Sequence, residues 1–366
     1  MVAIQFNKMT LPKKITINSR SSNYFIEFKK ANRRNFIDNI EIGDIIIIDK
    51  KVQSMHKLNS ILPKNNIIKI SANEKSKSFE NLDKVIRKIL SYGFKKNNKL
   101  IIIGGGISQD IGSFISSIIF RGVDWIFYPT SFLSQCDSCI GGKTSINFHE
   151  YKNQLGNFNP PKRIIIDINF LKSQSNKEIR SGVGEMAHYF LVSGNDDTNY
   201  FLKNFKRVIV GEKKISETMI NKSLKIKKYF IEKDEFDRKE RLLLNYGHTY
   251  GHALEALTKY HIPHGIAVAH GINIANYISY KKRFIKENYF LKIKECMDYI
   301  IDNNNPKIFD INKYLSFLKK DKKNINSNLR CILTKGPGKM FIHEIKFDEN
   351  LISYLKEYFN NFLIKN

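Results

Sequence analysis

No stretch of this 366-residue chain approaches the roughly 20 apolar residues that a membrane-spanning helix needs, and the opening MVAIQFNKMTLPKK lacks an apolar core of signal-peptide length. A cytoplasmic protein with no membrane partner is the expectation. Cysteine is scarce: Cys136, Cys139, Cys296 and Cys331 are too few for a disulfide framework in a chain of this size. Cys136 and Cys139 form a CxxC, but no second pair completes a zinc knuckle. The Walker spacing is absent, the standard GxGxxG is absent, and no segment repeats. Acidic residues are short as well, 35 against 61 Lys and Arg, which leaves a net charge of +26. Such an excess suits nucleic acid, a membrane surface or an anionic metabolite. The lysines are scattered, as in KKNNK, KIKK and KKDKKN, rather than gathered in a stripe. They read as compositional bias, and no nucleic-acid partner is expected.

What is present is a globular composition, 42% hydrophobic and 12% aromatic, in a chain long enough for two cores. From Lys14 to Lys99 short β-branched runs alternate with polar helical ones. Runs such as DIIIID and KLIIIGGG are apolar without alternation, as strands buried on both faces of a parallel sheet must be. The second run ends in Gly104, Gly105 and Gly106 and is followed by the helical pattern ISQDIGSFISSIIF, which makes a unit of strand, glycine turn and helix. Such a turn can bring backbone amides up to a pyrophosphate, and a plain tight turn fits equally well. Farther on, Gly141, Gly142 and Lys143 in SQCDSCIGGKTSIN offer a second flexible, cationic approach to an anion. Composition shifts near Asn169 toward longer helical patterns such as NKSLKIKKYFIEKDEF and ENLISYLKEYFNNFL. Two domains are therefore expected, residues 1–168 and 169–366, with TKGPGKM as a turn in the second.

Chemistry concentrates in RLLLNYGHTYGHALEALTKYHIPHGIAV. His248 and His252 are four apart, so a helix over Gly247 to Leu257 places both imidazoles on one face, where a divalent metal could sit. Pro263 would end or kink a helix, which lets His264 swing back toward them. In KEIRSGVGEMAHYFLV, Glu185 and His188 at i and i+3 point the same way, and Glu185 is the candidate for the missing ligand. Two His and one Glu with an open position is the arrangement of a catalytic zinc. An ordinary solvated glutamate is the alternative.

The motifs GGGISQDIGSF, FRGVDWIFYPTSFLSQCDSCIGGKTSIN, YKNQLGNF, SGVGEMAHY and RLLLNYGHTYGHALEALTKYHIPHGIAVAHG, in this order and spacing, resemble the 3-dehydroquinate synthases among the sugar phosphate cyclases. The resemblance runs from about Lys99 to Ala275. It implies an α/β N-terminal Rossmann-like domain that binds NAD, an all-α C-terminal domain that holds Zn2+ or Co2+, and a homodimer. It also implies that Glu185, His248 and His264 are the metal ligands, which makes His252 a supporting or proton-relay residue rather than the partner that spacing suggested. By the same resemblance Asp137, Lys143, Lys152, Asn153, Lys227, Arg241 and Asn245 match substrate-binding positions. Arg121 matches the phosphate site, across the dimer, with Lys322 or Lys323. Gly104, Gly105, Gly106, Asp110 and Thr130 match NAD-binding positions, Glu74 and Lys77 more loosely, and Asp49 at a strand end is a ribose-binding candidate.

The implied reaction begins from 3-deoxy-arabino-heptulosonate 7-phosphate. A ring hydroxyl is oxidised with zinc and NAD, phosphate is eliminated, the hydride is returned, the ring opens, and an intramolecular aldol step closes 3-dehydroquinate. Cyclases acting on neutral sugar phosphates change the positions of Lys227 or Arg241; both basic residues stand here, so a substrate carboxylate is expected. One position departs from the pattern: the lysine three after the metal-binding glutamate is His188. With a pKa near about 6.5 an imidazole is a conditional cation. Either the swap is tolerated or the substrate is another heptulose phosphate or an amino analogue. A metal-dependent polyol dehydrogenase is the further alternative, and it would release NADH.

Overall fold

Isoleucine runs build the first layer. The computed structural model describes residues 14–62, 66–149, 151–306, 310–320 and 328–363. They fall into two compact units, one comprising Thr10–Ser175 and Ser216–Phe236, the other Asn176–Ile215 and Asp237–Asn366. A single cut at residue 169 is thus replaced by a boundary at 175 and a later return of the chain.

The first unit runs through β1 (Lys14–Ile17), β2 (Tyr24–Phe28), α1 (Arg33–Ile37), β3 (Ile45–Asp49), α2 (Lys50–Met55), β4 (Ile67–Ile70), α3 (Phe79–Ser91), β5 (Leu100–Gly104), α4 (Gly106–Ile118), β6 (Trp125–Pro129), β7 (Ile146–Phe148), β8 (Tyr151–Leu155) and β9 (Arg163–Ile166). Seven strands form one sheet in the order β1-β2-β9-β6-β5-β3-β4. Every neighbour in it is parallel except β1 with β2. β5 and β6 are buried at every residue, which is why their sequences run apolar without alternation. Ile46, Ile48, Ile101, Ile103, Ile126 and Ile165 share one core with Tyr128 and Phe170. β7 and β8 form a separate hairpin.

The remaining elements are α5 (Asn176–Ser193), α6 (Asn195–Ile209), α7 (Lys213–Lys233), α8 (His248–Leu257), α9 (His264–Lys281), α10 (Glu287–Ile301), α11 (Ile311–Lys319), β10 (Asn328–Thr334), β11 (Met340–Lys346) and α12 (Glu349–Tyr358). From Ser216 onward α7 belongs with the sheet unit. In the helical unit α9 is the hub: it is buried from Gly265 through Ser279, and α5, α8, α10 and α12 lie against it. A helix buried on all sides needs neighbours on all sides. The TKGPGKM turn joins β10 to β11, so one antiparallel hairpin accompanies the helices. Among the described residues no helix is long and apolar enough to cross a membrane.

Candidate active site

In the helical unit, glycines let three helices meet main chain to main chain. A Cβ on Gly265 would lie 1.7 Å from the Ser181 carbonyl oxygen, at the crossing of α9 and α5. A Cβ on Gly271 would lie 1.8 Å from the Gly247 carbonyl oxygen, at the approach of α9 to the start of α8. Only glycine permits such contact. Glu185 stands one turn beyond Ser181, His264 adjoins Gly265, and His248 adjoins Gly247, so the same crossings draw their side chains together.

The Glu185 carboxylate is the meeting point. His248 Nε2 is 3.3 Å from its Oε1 and His264 Nε2 is 3.4 Å from its Oε2. The other ring nitrogens are held from behind: His264 Nδ1 faces Glu255 Oε2 at 3.1 Å, and His248 Nδ1 faces the Tyr246 carbonyl at 3.3 Å. Carboxylate and carbonyl oxygens accept, so each Nδ1 carries the proton and each Nε2 turns a lone pair toward Glu185. Lone pairs facing a carboxylate call for a cation between them. Donor atoms on a tetrahedral ion with bonds of about 2.0–2.1 Å stand about 3.3–3.4 Å apart. Each imidazole thus stands from one oxygen of the Glu185 carboxylate, His248 from Oε1 and His264 from Oε2, at the separation of two donors on a zinc-type ion. Glu185 is 3% exposed, and its Oε2 accepts no hydrogen bond among the described residues. Burial pushes its carboxyl up, and positive charge beside it, from a bound cation or, without one, from protonated His248 and His264, holds it well below the ordinary range.

His188, also buried, stands with its Nδ1 3.8 Å from Glu185 Oε1, and its ring is edge-on to that of His248 at 5.1 Å. The His252 ring lies 5.4 Å from His248 and 5.5 Å from His264, beside the ligand pair rather than on Glu185. Ligand atoms of His252, Glu255 and His264 lie within 4.8 Å of one another. Sequence reasoning missed Glu255, although it follows His252 by three residues and His248 by seven on one helix face. Arg241 and Asn245 sit on the short turn Glu240–Asn245. Arg241 is buried, and Asn245 Nδ2 donates to the Leu242 carbonyl at 3.0 Å.

The sheet unit assembles a different kind of site. Gly104 ends β5, Gly105 caps α4 and Gly106 is its first residue. A Cβ on Gly106 would meet nothing nearer than Ser138 Oγ at 3.9 Å, and no side chain caps the start of α4. An uncapped helix N-terminus at a strand end fits a pyrophosphate. Thr130, at the end of β6, donates its amide to the Gly104 carbonyl at 2.9 Å. Asp49 accepts from the Lys51 amide at 3.0 Å and so caps α2. One turn into α4, Asp110 receives the buried Lys77 ammonium at 2.6 Å, and the same ammonium reaches Ser145 Oγ at 3.0 Å and Asn153 Oδ1 at 2.7 Å. Glu74 accepts from Asn147 Nδ2 at 2.8 Å, with Lys152 Nζ at 3.7 Å.

Lys227 of α7 donates to both the Asp137 carboxylate, at 2.6 Å, and the Asp137 carbonyl, at 2.8 Å, while Ser223 Oγ donates to the Cys136 carbonyl at 2.9 Å. These bonds tie α7 to the turn after β6. Lys143 is exposed, and its backbone pairs with Phe158. Arg121 is exposed at the far end of α4 from the glycine turn, about 20 Å along a 13-residue helix. Within one chain it does not join the glycine turn. Lys322 and Lys323 lie outside the described residues. The CxxC is structural: Cys136 and Cys139 are buried, with Sγ atoms 3.7 Å from the Leu133 and Gln135 carbonyls, and burial pushes the Cys139 thiol pKa up.

Residues 67–181 match the pattern described as 3-dehydroquinate synthase N-terminal, and residues 182–324 match its C-terminal counterpart. The 3-dehydroquinate synthase of Dictyoglomus thermophilum is 35% identical over 325 residues, covering 88% of this chain and 91% of that protein. The chain belongs to the 3-dehydroquinate synthase family. Over greater length, the 3-dehydroquinate synthase of Pelagibacter ubique is 33% identical across 94% of this chain and 98% of its own. Solved structures share the fold of this synthase-family chain. A 2-deoxy-scyllo-inosose synthase complexed with carbaglucose-6-phosphate, NAD+ and Co2+ superposes with a TM-score of 0.83 at 21% identity, covering 94% of this chain and 98% of that one. A 2-epi-5-epi-valiolone synthase from Streptomyces hygroscopicus, with NAD+ and Zn2+ bound, superposes at 0.80 and 19% identity, covering 93% and 98%.

Proposed function

We propose that this chain is a 3-dehydroquinate synthase that converts 3-deoxy-arabino-heptulosonate 7-phosphate into 3-dehydroquinate and phosphate. The observation that carries the reading is the convergence of Glu185, His248 and His264 at metal-ligand spacing, in a chain about a third identical to synthases along nearly its whole length. These three residues would hold a divalent ion, Zn2+ or Co2+. The start of α4, with Gly104, Gly105, Gly106 and Thr130, would hold NAD. When bound, NAD supplies a reversible hydride acceptor and the ion supplies a Lewis acid that acidifies the hydroxyl being oxidised.

The chain's own residues do the rest. Arg241 and Lys227 bind the anionic ends of the substrate, and Asp137 fixes the Lys227 ammonium by accepting from it at 2.6 Å. Lys143, Lys152, Asn153 and Asn245 add polar contacts to the hydroxyls and the phosphate. His252, beside both ligand histidines, takes and returns the proton of the reacting hydroxyl. Glu255 keeps His264 in the tautomer that presents Nε2. Lys77, anchored by Asp110, holds Asn153 and Ser145 in place. The exposed Arg121 serves the phosphate site of a partner subunit, which makes the working unit a homodimer.

The test is turnover of 3-deoxy-arabino-heptulosonate 7-phosphate by the purified protein with NAD and Zn2+, the product being trapped by a dehydroquinate dehydratase. One 3-dehydroquinate per phosphate is expected. No turnover by protein that has bound both NAD and metal would contradict the reading.

A further inference from the structure

We infer that Lys96 is a positioning residue for the reaction: its ammonium holds the strained turn that carries Arg121 and so fixes where the Arg121 guanidinium points. This rests on the role given to Arg121 in the proposed function and adds the residue through which that role is met. The chain leaves α4 at Ile118 and enters β6 at Trp125. Between them Ile119 is buried, Phe120 and Arg121 both take left-handed backbone, with φ of 50° and 61°, and Gly122 follows at 105°. In an L residue that conformation crowds Cβ against the following carbonyl, and single residues adopt it far more readily than two in succession. Glycine would stand at either place without strain, yet a Phe and an Arg stand there. Such strain persists where the surroundings over-determine it.

Contacts of three kinds do so here. The Gly122 amide donates to the Ile119 carbonyl at 2.9 Å and the Val123 amide to the Ser116 carbonyl at 2.8 Å, which closes the turn onto the end of α4. The Phe120 ring stacks on that of the buried Phe94, with centroids 6.3 Å apart. Lys96, from the loop between α3 and β5, donates its ammonium to the Phe120 carbonyl at 2.7 Å and also to the Gly122 carbonyl. Those two carbonyls bracket Arg121. One ammonium bonded to both fixes the peptide groups on either side of that residue, and with them the direction of its Cα–Cβ bond. Arg121 is exposed, and among the described residues its guanidinium has no hydrogen bond or ion pair, so the backbone directs it. An ammonium suits the task because it carries three donors and needs only two of them here.

The test is a double-mutant cycle in the full chain loaded with NAD and Zn2+, using Lys96→Met, Arg121→Ala and the pair. Methionine keeps an apolar stem and removes the donor. With 3-deoxy-arabino-heptulosonate 7-phosphate, Lys96→Met is expected to raise KM about fivefold and to leave kcat within about twofold, because binding is weakened and the chemistry is untouched. In the Arg121→Ala background the same substitution should change nothing further, since its effect passes through Arg121. Lys96→Arg, which can still donate to both carbonyls, should restore the wild-type KM. A merely structural lysine would lower the urea midpoint without moving KM. Wild-type KM in Lys96→Met, or an equal loss with and without Arg121, would overturn the inference and leave the synthase reading intact. Should the loaded protein turn over no substrate, binding of inorganic phosphate is measured by calorimetry across the same cycle. Weaker binding in Lys96→Met that disappears without Arg121 would sustain the inference and sink only the activity; no dependence on Lys96 would sink both.

Discussion

The two units solve the problem of holding a small group in opposite ways. In the sheet unit the glycine turn leaves the start of α4 without a side-chain cap, and the unit holds ion pairs, Lys77 with Asp110 and Lys227 with Asp137. In the helical unit glycines close the space, pressing α5, α8 and the buried α9 together until two imidazoles share one carboxylate. The same residue type therefore has opposite meanings. At Gly106 an added methyl would find room and obstruct a ligand; at Gly265 it would find main chain and obstruct the fold.

The largest effect should come from Glu185→Gln. It removes the shared carboxylate, so metal affinity should fall by more than about 100-fold and turnover should fall with it. NAD affinity, measured by calorimetry, should stay within about twofold, because Glu185 lies on α5 and is no part of the glycine turn proposed to hold NAD. A parallel loss of NAD binding would break the division of labour. The next effect separates the two glycines. Gly265→Ala, which drives Cβ to 1.7 Å from the Ser181 carbonyl, should cost about 3 kcal/mol in urea unfolding. Gly106→Ala should leave stability unchanged and weaken NAD by about tenfold. Equal stability losses would erase the contrast.

The smallest effect is one of pH. Burial of His270 on α9 pushes its pKa down to about 4. The unfolded chain takes up that proton near about pH 6.5 while the folded one refuses it. Stability is then complete above the unfolded value and is lost as pH falls toward the folded one, by about 1 kcal/mol between about pH 7.5 and 5.5. His270→Gln should flatten that part of the profile. An unchanged slope would mean that the loss comes from other groups.

The contrast also explains what could be read in the sequence. β3 and β5 were legible because strands buried on both faces must be apolar throughout, and IIIID and LIIIG are. The glycine turn was legible as a strand-to-helix junction, although its spacing left NAD and a plain turn equally open. The ligand cluster was only partly legible. Helical spacing paired His248 with His252, a pairing local periodicity cannot avoid, since both lie on one face of α8. It is the approach of α9 through Gly265 and Gly271 that brings His264 to Glu185 at 3.4 Å, and that approach joins residues far apart in the chain. Glu255 was hidden for the same reason, because its partner His264 sits on the next helix. The return of α7 to the sheet unit left no mark in composition; it is held by contacts such as Lys227 with Asp137, ninety residues apart. The strands either side of TKGPGKM were missed beside the turn they share.

The central claim is that a hydride leaves and returns within one turnover while phosphate is lost. Phosphate and reduced nicotinamide should be measured together in a single reaction of the NAD- and Zn2+-loaded protein with 3-deoxy-arabino-heptulosonate 7-phosphate. The account predicts one phosphate per substrate consumed, with NADH never exceeding the enzyme present. NADH accumulating in step with substrate loss, without phosphate, would make this a dehydrogenase and contradict it.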